Sequence, residues 1–420
     1  MKIVDVAEFY AERGGGVRTY VEQKLAAAST LGHELVVIAP GPRDHEEPRA
    51  GGRIVWLKQP VLPVDRRYHM FVGESAIHAA LRREAPDVIE GSSPWAGGWA
   101  VARYHHPPAG PRPLKSFVFH QDPVAVYPQT FLGRPLGEAR VDRLFGWYWR
   151  YLRALSRNFD ATIVSSPWLA ARLERFGIQR PLAVPFGVDK QAIARAAQCA
   201  DASLRAELLA QAGAPPHAAL LITLSRLHPE KRVGTLIEAV KRVAVNRPVA
   251  LAIFGDGPLR RWIDWKARGA PVHLAGFVTD RARLARALAS ADGLLHGSAA
   301  ETYGLVVAEA LCAGLPLVVP DRGGASDLAL PAHAETYPAG DAAACAAAIQ
   351  RLLARAPERL QAAARQAADE LVASTEQHFT SLFRIYEALA GRQSAEPTFF
   401  SEACACTGDA LAMTMPLAPR

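Results

Sequence analysis

Short apolar runs recur along the chain, each followed by a polar or glycine-rich break and then by apolar residues at helical spacing. In the first half such runs fall at residues 2–6, 34–40, 53–57, 86–94, 116–122 and 160–167. A helical pattern spans residues 17–31, directly after three glycines, and others lie between most of the later runs. The alternation restarts at "ALLITLSRL" (219–227) and continues through 233–244, 249–258, 272–278, 292–298 and 315–321. Strands alternating with helices predict parallel sheets covered on both faces. The pattern therefore predicts an α/β chain of two doubly wound units with a cleft between them. "PLAVPFGVD" (181–189), punctuated by Pro and Gly, reads as the linker. A final helix is expected over about 376–389, and from about residue 391 small and polar residues without periodicity predict disorder.

The totals suit that picture. A chain of 420 residues holds two domains of ordinary size, and half of its residues are hydrophobic. No window approaches the roughly 18 unbroken apolar residues of a membrane span, and the first residues lack a signal-peptide stretch. Five cysteines (Cys199, Cys312, Cys345, Cys404, Cys406) are too few for a disulfide framework and read as reduced thiols. Cys404 and Cys406 have no second Cys/His pair at zinc spacing. The net charge of +7 suits an anionic partner, whether nucleotide or membrane surface. Nothing beyond that charge suggests a nucleic acid.

Four stretches carry candidate chemistry, each at the carboxyl end of a predicted strand, where ligands of open α/β sheets bind. "RGGGVRTY" (13–20) offers exposed amides at a helix start, which favour an anion; the plainer reading is a tight turn. It is neither a G-x-G-x-x-G fingerprint nor a Walker A loop. "SRLHPEKR" (225–232) places Arg226 and Lys231 on one loop, where two cations could hold a diphosphate or simply be solvated. In "ETYGLVVAEA" (301–310) Glu301 would precede a helix and Glu309 lie along it, within reach of a ribose. "FVFHQDP" (117–123) ends a strand in His120, with Asp122 either orienting the imidazole or lying aside. No D-x-D occurs, so fixed cations would have to neutralise a leaving diphosphate.

Taken together these stretches resemble the retaining glycosyltransferases of the two-Rossmann-domain GT-B fold, family four (glycosyl transferases group 1). The resemblance runs in order through "GGGV", "FHQD", "VPFGVD", "SRLHPEKR", "FGDGP", "ETYGLVVAEALCAGLPLVV" and "DRGG" (321–324). It implies an N-terminal acceptor domain over 1–185, a C-terminal donor domain over 186–372, a helix over 373–390 that packs back on the first domain, and a tail over 391–420. It implies that Arg226 and Lys231 hold the donor diphosphate and that Glu309 binds the ribose. Gly15 and Gly16 meet the phosphates from the other domain, and the amides at Gly304, Leu305 and Val306 help hold phosphates or sugar. Glu301 contacts sugar hydroxyls and His120 lines the site near the anomeric carbon; these two are the catalytic candidates. The implied reaction moves a hexose from a UDP- or GDP-sugar co-substrate to a glycan or lipid-linked acceptor, with retention and with neither a cofactor nor a metal. Three positions depart from the pattern: Phe186 stands where Asn is frequent, His296 where Pro is common and Thr302 where Gly is frequent.

The acceptor is expected on the first domain. In residues 134–159, Arg140, Arg143, Arg150, Arg153 and Arg157 interleave with Trp147, Tyr148, Trp149 and Tyr151. This reads either as an interfacial helix on an anionic membrane or as a core helix with solvated arginines. A cytoplasmic enzyme follows, peripheral at the inner membrane face on the first of these readings. Two rivals keep the fold but not the reaction: an inactive nucleotide-sugar-binding relative, and a GT-B phosphorylase or epimerase.

Overall fold

Residues 1–11, 16–63, 65–66, 68–108, 111–198 and 201–391 are described by the computed structural model. Its first sheet holds β1 (Lys2–Val6), β2 (Glu34–Gly41), β3 (His45–Arg49), β4 (Gly52–Lys58), β5 (Val88–Gly91), β6 (Leu114–Phe119), β7 (Ala161–Val164) and β8 (Pro181–Ala183), in the order β3-β4-β2-β1-β5-β6-β7-β8. A two-residue strand, β9 (Gly187–Val188), follows. The second sheet holds β10 (Ala219–Leu224), β11 (Val249–Phe254), β12 (Val272–Gly276), β13 (Gly293–Leu295), β14 (Leu317–Pro320) and β15 (Ala334–Tyr337), in the order β12-β11-β10-β13-β14-β15. Every pairing in these two sheets is parallel except β3 with β4. Alternate residues of β10 serve opposite faces. Leu220, Ile222 and Leu224 enter one core and Leu221 the other, which is why the strand reads as a continuous apolar run.

In each sheet the chain builds outward on one side and then returns to the other side of its first strand. The reversals lie between β1 and β5 and between β10 and β13. Crevices open at such points, outside the carboxyl ends of the strands. The second sheet's reversal puts the loops leaving β10 and β13 side by side.

The structure adds one element and changes two expectations in detail. His45–Arg49 is a strand although it is polar: it lies at the sheet edge and forms a hairpin with β4, which asks for no buried face. The stretch read as linker is partly sheet, since Pro181–Ala183 pairs with β7 and Gly187–Val188 with the two-residue strand β16 (Ala373–Ser374). Residues 134–159 are not one helix. They divide among Pro128–Leu136, Glu138–Leu144 and Gly146–Ser156, with breaks at Gly137 (φ 79°) and Phe145 and with Pro135 inside the first.

Ser374 begins the last helix, Thr375–Leu389, with a capping box. Its hydroxyl accepts from Gln377 N at 3.1 Å, and Gln377 Oε1 accepts from Ser374 N at 2.7 Å. Phe379, Leu382, Phe383 and Tyr386 of that helix share a core with Ile3, Leu25 and Leu35. The chain thus crosses between the two halves twice, near residues 184–188 and 372–375. The tail expected from 391 lies, beyond Gly391 itself, outside the described residues.

Candidate active site

The loop leaving β10 makes a short turn over Pro229–Lys231 before the helix Val233–Ala244. Lys231 leans across to the loop leaving β13 and forms an ion pair with Glu301, 70 residues on. The loops can touch because Gly297 has no side chain: a Cβ there would stand 2.4 Å from the Lys231 carbonyl oxygen. Burial pushes the Glu301 carboxyl up, but Lys231, His296 and Arg226 outweigh it and hold the group below the usual carboxylate range. Arg226 does not close onto Lys231. Its side chain is 71% exposed and pairs with Glu230 at 3.6 Å, so the guanidinium faces solvent on the loop that carries Lys231.

Glu301 precedes the helix Leu305–Cys312, and Gly304 caps it with φ 98°. A side chain at that glycine would be strained, and its Cβ would press on Ala325 at 3.1 Å. The amides of Leu305 and Val306 fall in the helix's first turn, where backbone N–H groups have no intrahelical acceptor. Glu309 lies one turn further along. Burial pushes its carboxyl up, and Arg281, 3.4 Å away, offsets that only in part.

His120 follows the last residue of β6. Its ring stacks on Phe186 (centroids 5.5 Å apart, planes at 17°) and meets the edge of Tyr20 at 5.3 Å. Tyr20 also hydrogen-bonds His378 of the last helix at 3.1 Å, and His378 in turn holds the Pro185 carbonyl at 2.8 Å. This aromatic cage pushes His120 down to about 4, mainly through burial, so the imidazole is neutral at neutral pH. Neither ring nitrogen has a hydrogen-bond partner among the described residues, so both remain open to a ligand. Asp122 lies aside. It caps the short helix Pro123–Val126 through Val124 N (2.9 Å) and Ala125 N (3.0 Å) and pairs with buried Arg172.

Four contacts tie the halves together around the cleft. Thr302 Oγ1 donates to the His120 carbonyl and Ser165 Oγ donates to the Thr302 carbonyl, each at 2.9 Å. Trp168 N donates to Asp327 at 2.8 Å, and Arg322 pairs with Glu138 at 3.1 Å. His120 and Glu301 are thereby brought to one cleft. Gly16 opens the helix Gly16–Thr30, and a Cβ built there meets open space. Gly15 lies outside the described residues.

Residues 14–192 match the family described as Glycosyltransferase Family 4, and residues 218–355 match Glycosyl transferases group 1. A GDP-mannose-dependent alpha-mannosyltransferase of Mycobacterium tuberculosis (strain CDC 1551 / Oshkosh) is 30% identical over 340 residues, which span 79% of this chain and 82% of the relative. The chain belongs to glycosyltransferase family 4. A GDP-mannose-dependent alpha-(1-6)-phosphatidylinositol dimannoside mannosyltransferase of M. tuberculosis (strain ATCC 25177 / H37Ra) is 29% identical over 326 residues, 76% of this chain and 79% of that one. Sucrose-phosphate synthase from Thermosynechococcus elongatus superposes with a TM-score of 0.69 at 19% identity, covering 93% of this chain and 99% of that one. The catalytic domain of starch synthase IV from Arabidopsis thaliana superposes with a TM-score of 0.66 at 14% identity, covering 93% and 99%. The fold is GT-B, and the enzyme is a glycosyltransferase that uses nucleotide sugars.

Several residues of this glycosyltransferase's cleft carried little sequence signal. Phe186, His296 and Thr302 stood out as departures from the family pattern, and each proves to face the catalytic candidates. Phe186 stacks on His120, Thr302 bonds to its carbonyl, and buried His296 has its Nε2 3.7 Å from Glu301 with no hydrogen-bond partner among the described residues. Tyr20 and His378 gave no signal, since one aromatic on a helix face reads as packing.

Proposed function

We propose that the enzyme transfers a mannosyl group from GDP-mannose, with retention at the anomeric carbon, to a glycolipid acceptor at an anionic membrane face. The observation that carries this reading is the Lys231–Glu301 pair, set beside exposed Arg226 and the open first turn of the helix Leu305–Cys312. That arrangement offers two cations and backbone donors to a diphosphate, and a carboxylate to sugar hydroxyls. The GDP-mannose dependence of relatives spanning most of the chain supports the base and the sugar, and the lipid acceptor of one of them supports the acceptor class.

In this reading Arg226 and Lys231 neutralise charge as it develops on the leaving diphosphate. Gly15, Gly16 and the amides at Gly304, Leu305 and Val306 contact the phosphates or sugar, and Glu309 accepts from the ribose. The acceptor hydroxyl attacks the anomeric carbon from the face the diphosphate leaves. Its proton passes to the departing phosphate oxygen as the old C–O bond breaks and the new one forms. Neutral His120 hydrogen-bonds the sugar near that carbon, and Glu301, still held by Lys231, fixes the sugar hydroxyls. The basic helices over 134–156 meet the anionic surface. Among the described residues no helix is long and apolar enough to cross a membrane.

The test is thermal stabilisation by GDP, UDP and ADP, with Lys231→Ala beside the wild type. A shift with GDP that the variant loses is the expected result. A shift with UDP or ADP alone would replace the donor, and no shift with any nucleotide would overturn the donor reading.

A further inference from the structure

Beside the cleft lies an open trough of about 580 Å³, lined by Trp95, Val124, Tyr127, Phe131, Phe145 and Trp147 among others. That volume falls within the roughly 300–1,000 Å³ of ordinary small-molecule sites. Its wall is almost wholly carbon, yet it stands open to solvent: Phe131 is 63% exposed and Trp147 56%. A soluble surface seldom leaves such rings side by side unless something covers them.

The trough is rigidly built. Its Pro123–Val126 wall is capped by Asp122, which buried Arg172 holds; Arg172 also pairs with Asp142 at 2.9 Å, and Asp142 accepts from Gln129 at 2.9 Å. Its wall begins close to the active site along the chain, since Pro123 and Val124 follow His120 by only three and four residues. One further feature indicates what fills it. Arg134, Arg140, Arg143 and Arg150, on the helices that carry Phe131 and Trp147 or between them, are exposed and have no acidic partner among the described residues.

We infer that this trough seats one apolar chain of the acceptor, with its sugar toward His120 and its anionic head group against the arginines. This rests on the reading of the acceptor as a glycolipid. A carbon trough rimmed by unpaired cations matches an anionic amphiphile, whereas a protein partner of matching charge would need acidic side chains over a surface that is otherwise apolar.

The test titrates the full chain with cis-parinaric acid, a fluorescent fatty acid, and measures GDP binding on the same samples. Wild type should bind the fatty acid. Phe131→Asp and Leu132→Asp, both at exposed positions, should weaken that binding by about tenfold or more while leaving GDP binding unchanged. Phe131→Leu should restore it. Equal binding by wild type and the aspartate variants, or none by wild type, overturns the inference. So does a wild-type dimer that Phe131→Asp dissociates without any fatty-acid binding, since the occupant is then a second copy. Loss of GDP binding in every protein would instead count against the donor reading and leave the fatty-acid titration to be judged on its own.

Discussion

Thr302 donates its hydroxyl hydrogen to the backbone carbonyl of His120 at 2.9 Å, so one bond joins the residue after Glu301 to the residue that follows β6. A glycine at this position could not make it. The Thr302 carbonyl also accepts from Ser165 at 2.9 Å, so the loop is held to the first half from two sides. The two bonds tie the loop that carries Glu301 to the ends of β7 and of β6, the strand that leads to His120.

Removing the bond to His120 should loosen the link between the two loops without removing any candidate donor contact. A net hydrogen bond contributes about 0.5–1.5 kcal/mol. Thr302→Val should therefore lower kcat/KM by roughly two- to tenfold with little change in GDP affinity, and Thr302→Ser should stay near wild type. Steady-state kinetics with calorimetry of GDP binding checks this. An equal loss in Thr302→Ser would mean that the methyl group, not the hydroxyl, matters.

Lys231 and Glu301 should separate binding from turnover. On the proposed reading Lys231→Ala takes a cation from the diphosphate, and it strands a half-buried carboxylate, so GDP should bind at least about tenfold more weakly. Glu301→Gln keeps the cation, so GDP binding should persist while transfer falls. Calorimetry beside initial rates distinguishes them, and parallel losses in both variants would refute separate roles.

Burial pushes His120, His296 and His378 each down to about 4. The folded chain therefore binds fewer protons than the unfolded chain between about pH 4 and the ordinary histidine value near 6.5. Stability from these groups is present above that window and is lost as pH falls through it. Asp327 acts oppositely. Burial raises it to about 6, so its ionisation costs stability as pH rises from about 4 to 6. Urea melts across this range should show His378→Gln flattening the acid loss and Asp327→Asn steepening it. Turnover should be level from about pH 6 to 8, and an inflection near 6.5 would show that His120 titrates normally.

Lys24, on the helix Gly16–Thr30, is fully buried between Asp5, at 3.0 Å, and Glu90. Burial alone would push the ammonium down, but the two carboxylates reverse that and hold it above its usual value. Taking one member from such a cluster costs about 3–5 kcal/mol, because uncompensated charge stays buried. Lys24→Met should lose that much in denaturant unfolding. Lys24→Met combined with Asp5→Asn and Glu90→Gln should recover part of it, and a loss in the single variant below about 1 kcal/mol would show the cluster to be hydrated.

Much of the molecule was legible in the order of residues. Apolar runs such as Leu220–Leu224 announce buried parallel strands because both of their faces are covered, and each polar break after them marks a carboxyl end where ligands gather. The spacing of Glu301 and Glu309 about one glycine-capped helix start was likewise visible, since it is local. What depends on distant partners was not. Lys231 meets Glu301 only because β10 and β13 are neighbours across a sheet reversal. Asp122 could have served His120 from sequence, but the helix start after it and buried Arg172 take its oxygens. The edge strand His45–Arg49 has no apolar pattern to read, and the basic aromatic stretch over 134–156 is split at Gly137 and Phe145 into helices that bury Tyr148 and Trp149 and leave Trp147 outward. The sequence by itself determined the repeating units and the chemical groups at their strand ends, since both follow from local periodicity. Which of those groups share a charge, a hydrogen bond or a groove was decided by tertiary packing, because those energies depend on distance in space and on the water that packing excludes.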